Sequence, residues 1–290
     1  MKKLAEIKEF LAAAVFLLLG GCLLLSAAGI LADANVRRES TELPDGRAAL
    51  WMPRTGPVIA VSDAGEDGHD HGLAIESGGA ALVLTGAFDG SRSLAAELAR
   101  RGVTVLLYRG HDGAGAWKHL RELRGDHGAM ALLAGTDRAQ EALALAQELW
   151  ADGERPAAVM LLGEKAAVRA AADYPGGNIL VLTRTEPDPD TLTAYYGSRA
   201  AAERGFDGFF GEGTARACAW DREFGSFARR ETLARVAEWK GSTLGHAVEL
   251  PDGDLIFSSI ILCRVGAAAC LLLAAGTTVC GLRRRGSREL

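Results

Sequence analysis

The chain has 290 residues, 49% of them hydrophobic and 24% charged, with a formal net charge of −5. That length supports one sizeable core, and the lack of a basic patch with interleaved aromatics argues against a nucleic-acid partner. Of the five cysteines only Cys218 lies clearly between the two apolar ends, so no disulfide can form there, and no zinc-type cysteine pattern exists.

Residues 10–32 carry no charge and are long enough to span a bilayer, with Lys2, Lys3 and Lys8 ahead of them. Leu19-Gly20-Gly21-Cys22 resembles a lipoprotein cleavage site, but residues 23–32 stay apolar after the cysteine. The segment therefore reads as an uncleaved anchor rather than a removed signal peptide. Residues 265–282 are also uncharged; Arg264 precedes them, placed to snorkel, and Arg283-Arg284-Arg285 follows at once. A buried core helix is the alternative for this second stretch. Positive residues on the outer sides of both spans predict cytoplasmic termini, residues 1–9 and 283–290, in a two-pass cell-membrane protein. Residues 33–254 then form one extracytoplasmic domain, and the lipid bilayer is an expected partner. Arg37 and Arg38 point the other way but are outnumbered, and long domains translocate largely regardless of charge.

Taken in order, residues 33–55 are polar, with Pro44-Asp45-Gly46 as a turn. Residues 57–61 predict a short strand, and residues 62–72, SDAGEDGHDHG, an acidic glycine-rich loop. An apolar strand is expected at 80–84, a loop at 85–91 (TGAFDGS) and a helix at 93–101 closed by Gly102. The strand 103–108 (VTVLLY) leads to a glycine-rich loop at 109–115, RGHDGAG, and residues 117–123 are helical. Residues 136–152 form an amphipathic helix with Thr136 as its cap; Ala139, Leu143, Ala146 and Leu149 or Trp150 share one face. The apolar run 158–162 passes straight into Gly163-Glu164-Lys165 and an alanine-rich segment. That is the pattern of a buried parallel strand turning sharply into a helix. A strand at 178–183, a turn at 187–190, a strand at 215–220 and a helix at 227–240 complete the series. Strands alternating with helices predict an α/β fold, a mostly parallel central sheet with helices on both faces. Strands 80–84, 103–108, 158–162 and 178–183 are expected to be neighbours, with 158–162 central.

This order of pieces resembles the α/β-hydrolase superfamily. ALVLTGAFDGSRSLAAELAR resembles its third strand, oxyanion loop and first helix; VTVLLYRGHDG resembles the next strand with its Arg-Gly-His-Gly loop; AAVMLLGEKAAVRAAA resembles the nucleophile strand, elbow and helix. The resemblance implies a serine in Gly-x-Ser-x-Gly at the elbow, yet Gly163-Glu164-Lys165-Ala166-Ala167 puts Lys165 there. It implies a histidine after the last strand, where residues 221–226, DREFGS, have none, and His-Gly at the oxyanion loop, where Thr85-Gly86 stands. The chain thus reads as a divergent member lacking the usual serine and histidine.

Other groups stand near the places those residues vacate. Lys165 at a helix N-terminus is a weak nucleophile candidate, with Glu164 as the partner that would otherwise hold it in a salt bridge. His246 is a base candidate or a linker residue, and Glu212 an acid candidate or a turn residue. Ser91 and Ser93 read as helix caps, His111 matches the family's structural loop histidine, and His119 and His127 have no evident partner. Gly86, Ala87, Phe88, Gly163, Lys165 and Ala166 are the expected ligand-binding residues. His69 and His71, with Asp63, Glu66 and Asp67, form a weak metal cluster or a solvated acidic loop. No cofactor is expected. The favoured function is a catalytically degenerate binding or scaffolding module for a small molecule or protein. A divergent membrane-bound hydrolase of an ester or amide is the alternative, and a metal-binding sensor using residues 62–72 is a weaker third.

Overall fold

Strands covered on both faces need no alternation of apolar and polar residues, and the middle of the chain supplies several such runs. The computed structural model describes residues 2–33, 36–43, 46–53, 79–86, 90–124, 129–207, 215–227, 229–243 and 256–286. Two units are present, Asn35–Gly253 and the paired ends Met1–Ala34 with Asp254–Leu290. The chain runs α1 (Lys2–Asp33), β1 (Val36–Leu43), β2 (Gly46–Pro53), β3 (Ala80–Leu84), α2 (Ser91–Arg100), β4 (Thr104–Tyr108), α3 (Gly113–Arg124), β5 (Met130–Ala134), α4 (Ala139–Ala151), β6 (Ala158–Gly163) and α5 (Lys165–Ala172). It continues with β7 (Ile179–Thr183), α6 (Pro189–Tyr196), α7 (Arg199–Arg204), β8 (Phe206–Asp207), β9 (Arg216–Trp220), α8 (Arg230–Thr243) and α9 (Ile256–Gly286).

Among the described residues the sheet has nine strands in the order β1-β2-β4-β3-β5-β6-β7-β9-β8. Strands β4, β3, β5, β6, β7 and β9 are parallel; the β1–β2 hairpin and β8 run antiparallel at the two edges. Every residue of β3, β6 and β7 is buried. Leu82, Leu132, Val159, Leu161 and Val181 pack with Leu120, Ala142, Ala146 and Val168 of the helices in one core. The mostly parallel α/β architecture is as the alternation predicts.

Several local expectations are corrected. Residues 33–55, read as merely polar, contain the β1–β2 hairpin, in which Leu43 pairs with Gly46. Strand β5 was not anticipated. It lies between β3 and β6, so the four expected neighbours form two pairs, β4–β3 and β6–β7, and β5 is central in place of residues 158–162. The alanine and leucine of β5 favour helix intrinsically; burial of residues 131–134 between two parallel neighbours overrides that preference. Thr136 opens a 3₁₀ turn, Thr136–Arg138, and makes no side-chain cap. Helix α3 begins at Gly113, inside the expected glycine-rich loop. Asp188 and Pro189, expected in a turn, cap and start α6. The expected strand at 57–61 and the loop at 62–72 lie outside the described residues.

In the other unit α1 and α9 pack antiparallel. A Cβ on Gly20 would sit 3.4 Å from Cys270 Cβ, and one on Gly266 would sit 3.0 Å from Leu23 Cδ1. Ala13, Gly20 and Ala27 are buried and recur every seven residues on α1, facing a helix on which Ala267 and Ala274 are buried with the same spacing. Small residues at a heptad repeat let two backbones approach closely along a left-handed seam. Residues Leu262–Cys280 of α9, 19 residues of mean hydropathy 1.7, are long and apolar enough to cross a membrane; Leu11–Ala27 of α1 is a shorter apolar stretch.

Candidate functional site

The resemblance read from the sequence expects a nucleophile's turn to border the loop after β3, where the two would share oxyanion donors. Strand pairing shows which turn borders that loop. β3 pairs with β5, Leu84 opposite Ala134, so Thr85-Gly86 and Gly135–Arg138 leave the same edge side by side. A Cβ on Gly86 would come 2.8 Å from Asp137 Oδ2 and 3.1 Å from its Cβ. Arg138 Nη1 donates to Thr85 O at 3.3 Å and Nη2 to Gly110 O at 2.6 Å, while the same guanidinium pairs with Glu141. One side chain, 11% exposed, thus ties the loops after β3 and β4 to the first turn of α4.

The turn reads Gly135-Thr136-Asp137-Arg138-Ala139, with small residues first and fifth and Asp137 third. Gly135 and Ala139 are buried, while Thr136 and Asp137 are exposed above the sheet. This pattern, a five-residue apolar run followed by Gly-x-x-x-Ala and a helix, was the sequence signal for the site. The turn is not strained: among the described non-glycine residues only Asn178 has a positive φ.

The turn at Lys165, after β6, lies one strand spacing beyond the Asp137 turn and two spacings, about 10 Å, from the loop after β3. Lys165 therefore does not border the loop after β3, as the resemblance would require of the elbow residue. It is the first residue of α5, with Glu164 as an extended N-cap. Both are exposed, as is Ala166, which removes the desolvation a lysine nucleophile needs. Gly163 is there for packing: a Cβ on it would lie 2.5 Å from that of Ala167, so strand and helix could not close. Glu164, Lys165 and Ala166 line an open cleft with Arg184, Thr185 and Arg222. The expected ligand-binding set is thus split, Gly86 beside Asp137 and Gly163, Lys165 and Ala166 beyond β5. Ala87 and Phe88 lie outside the described residues.

Comparison with solved structures finds esterases and lipases. Esterase E25 has a TM-score of 0.42 and 14% identity, over 80% of this chain and 85% of that one. A brefeldin A esterase, described as a bacterial homologue of human hormone-sensitive lipase, has a TM-score of 0.39 and 12% identity over 91% and 86%. A hormone-sensitive lipase from a metagenome library has a TM-score of 0.41 and 12% identity over 88% and 98%. No protein-family model matches the chain. No curated relative matches it either.

The other positions named from sequence do not complete a triad among the described residues. After β9, Asp221 N–H donates to Thr183 O at 3.0 Å and Glu223 N–H to Asp221 Oδ1 at 3.0 Å, a self-contained turn without histidine. The described histidines are both on the β4 side: His111 is exposed after β4, and His119 on α3 has its Nε2 buried without a partner among the described residues. Asp188 caps α6 by accepting from Thr191 N–H at 2.9 Å and Thr191 Oγ1 at 2.8 Å. Those two bonds hold its carboxyl below the ordinary value, with a small further push from the charge of Lys165. Ser91 and Ser93 are buried at the start of α2, and neither makes a side-chain N-cap; the N-cap position is Gly90. His246, Glu212, His69, His71 and His127 lie outside the described residues.

Proposed function

We propose that the chain is a membrane-anchored binding module on a hydrolase-type α/β sheet, without serine-hydrolase chemistry. The contact between Asp137 and Gly86 carries this reading. Acyl transfer needs backbone donors aimed at the spot where an oxyanion will form. Here a carboxylate already lies against the loop that would supply one donor. A second negative charge developing about 4 Å away is opposed by about 4 kcal/mol at an effective dielectric constant near 20, about a thousandfold in rate. The ligand is a small molecule or a protein segment bound at the carboxyl edge of the sheet, where such folds take ligands. The paired apolar ends are the anchor, a two-pass hairpin in the cell membrane with both termini cytoplasmic and the sheet domain outside. Lys2, Lys3, Lys8 and the triplet Arg283–Arg285 support that orientation.

One observation favours a second reading, a divergent hydrolase. Asp137 stands third in the turn that faces the β3 loop, and carboxylates serve as covalent nucleophiles. Such an enzyme would join Asp137 to an electrophilic carbon, expel the leaving group, and free the product with water. The test uses the full chain in detergent with a fluorophosphonate probe and a panel of esters, amides and alkyl electrophiles. Neither labelling nor turnover above background is expected. A labelled serine or threonine would overturn the binding-module reading. Turnover that is lost in Asp137→Asn, without fluorophosphonate labelling, would replace it by the second.

A further inference from the structure

A cavity of about 370 Å³ lies between the β1–β2 hairpin and the start of α2, and Asp137 is not part of its wall. Four exposed arginines from four segments are among its lining residues: Arg38 on β1, Arg47 on β2, Arg92 in the first turn of α2, and Arg109 just after β4. Glu42 is the one carboxylate in its described wall. Elsewhere on the described surface Arg121, Arg199 and Arg229 pair with carboxylates, whereas Arg169, Arg184 and Arg222 make no ion pair among the described residues. Arg47, Arg92 and Arg109 make no ion pair among the described residues. This happens in a chain with a net charge of −5, where carboxylates are plentiful. Like charges gathered round a concavity focus a positive potential inside it and raise the local concentration of anions.

The chemistry of the wall narrows the anion. All four cations are arginine, whose planar fork bonds two oxygens at once, rather than lysine, a point charge. Arg38 is oriented by the ring of Trp51, with its Cζ 5.5 Å from the ring centroid. Thr85 and Ser91, whose hydroxyls lie 2.5 Å apart in a mutual hydrogen bond, are also part of the wall. The positive end of the α2 dipole opens onto the same space. Several arginines set around one space match a group that presents three or more oxygens in three dimensions, which one planar carboxylate does not. We propose that this cavity binds a phosphate-bearing anion of at least two negative charges. The ligand is either a soluble phosphorylated compound or the headgroup of a phosphomonoester lipid. The site does not depend on whether the Asp137 turn is catalytic.

The first arm of the test titrates the full chain in detergent with inorganic pyrophosphate by calorimetry. The second measures retention of phosphatidic acid by native mass spectrometry after reconstitution in phosphatidylcholine nanodiscs containing it. Binding in either arm is expected to weaken by at least about tenfold in Arg92→Gln/Arg109→Gln, and to be unchanged in Arg199→Gln, whose guanidinium pairs with Glu203 on α7. Arg92→Lys/Arg109→Lys keeps the charge and loses the forks, so it should fall between, and it decides the matter if the glutamine variant fails to fold. Pyrophosphate binding without selective lipid retention supports the soluble source. Lipid retention that pyrophosphate displaces supports the headgroup. Binding in neither arm, or binding indifferent to Arg92 and Arg109 in folded variants, overturns the proposal.

Discussion

Arg216 shows how much one side chain can organise. Its Nη1 donates to Ala171 O, Ala172 O and Tyr195 O at 3.2, 3.3 and 3.2 Å, and its Nη2 donates to Tyr174 O. The last carbonyls of a helix have no partner within it, and here the ends of α5 and α6 share one cation, which their dipoles also favour. Arg216→Ala should therefore destabilise the sheet domain by about 3 kcal/mol, and Arg216→Lys should recover only part, since an ammonium cannot span four acceptors. Urea unfolding of the full chain in detergent measures this. A loss under about 1 kcal/mol would mean that water replaces the guanidinium at little cost. Nothing in the sequence marked Arg216, because its partners come from residues 21 to 45 positions away. Asp137 was hidden differently: its turn is local, but its meaning depends on Gly86, brought beside it by β3–β5 pairing.

At the scale of elements, the β7–β9 side of the sheet is built from groups that must stay neutral. Tyr195 OH donates to Ile179 O and Ala217 O at 3.1 and 3.0 Å, bridging β7 to β9, and burial holds its pKa well above 10.0. Burial pushes Tyr174 up to about 12, against the pull of the Arg216 charge, and pushes the Cys218 thiol from 9.0 to about 12. Tyr174 OH has no hydrogen-bond partner among the described residues, so an ionised oxygen would gain none there. Each folded value lies above the unfolded one. The stability linked to these groups is therefore complete below the ordinary values of 9.0 and 10.0, and is lost as pH rises toward 12. The urea midpoint should fall across that window in step with tyrosine ionisation followed by absorbance. A flat midpoint would show that these groups ionise without opening the β7–β9 edge.

On the scale of the whole molecule, the paired ends make the sharpest geometric claim. A Cβ on Gly20 would lie 3.4 Å from Cys270 Cβ, close to the separation of about 3.8 Å that a disulfide requires. Gly20→Cys should therefore cross-link to Cys270 within one chain under mild oxidation, and Gly21→Cys, with open space around it, should not. If the hairpin is inserted as proposed, protease added to intact cells digests the sheet domain and spares tags at both termini. A protected sheet domain, or cross-linking at Gly21 in preference to Gly20, would dismiss that arrangement.

Local pattern was enough for what depends on burial alone. The apolar runs at 80–84, 103–108, 158–162 and 178–183 read as strands without any structure, because a strand covered on both faces writes itself as an uninterrupted apolar segment. The helices between them, Gly102 at the end of α2 and the two apolar termini were legible for the same reason: their signals lie within a few residues. Strand order was not. Residues 130–134 are as apolar as the other runs, yet no local rule places them between β3 and β6. It is their pairing with β3 that sets the turn at Asp137, rather than the one at Lys165, beside the loop after β3. The β1–β2 hairpin escaped because an edge ribbon with mixed burial shows neither a clean alternation nor an apolar run. The four-arginine cavity was invisible for a physical reason of the same kind: Arg38, Arg47, Arg92 and Arg109 are scattered along the chain, and only the pairing of β2 with β4 and the packing of α2 gather their charges into one space.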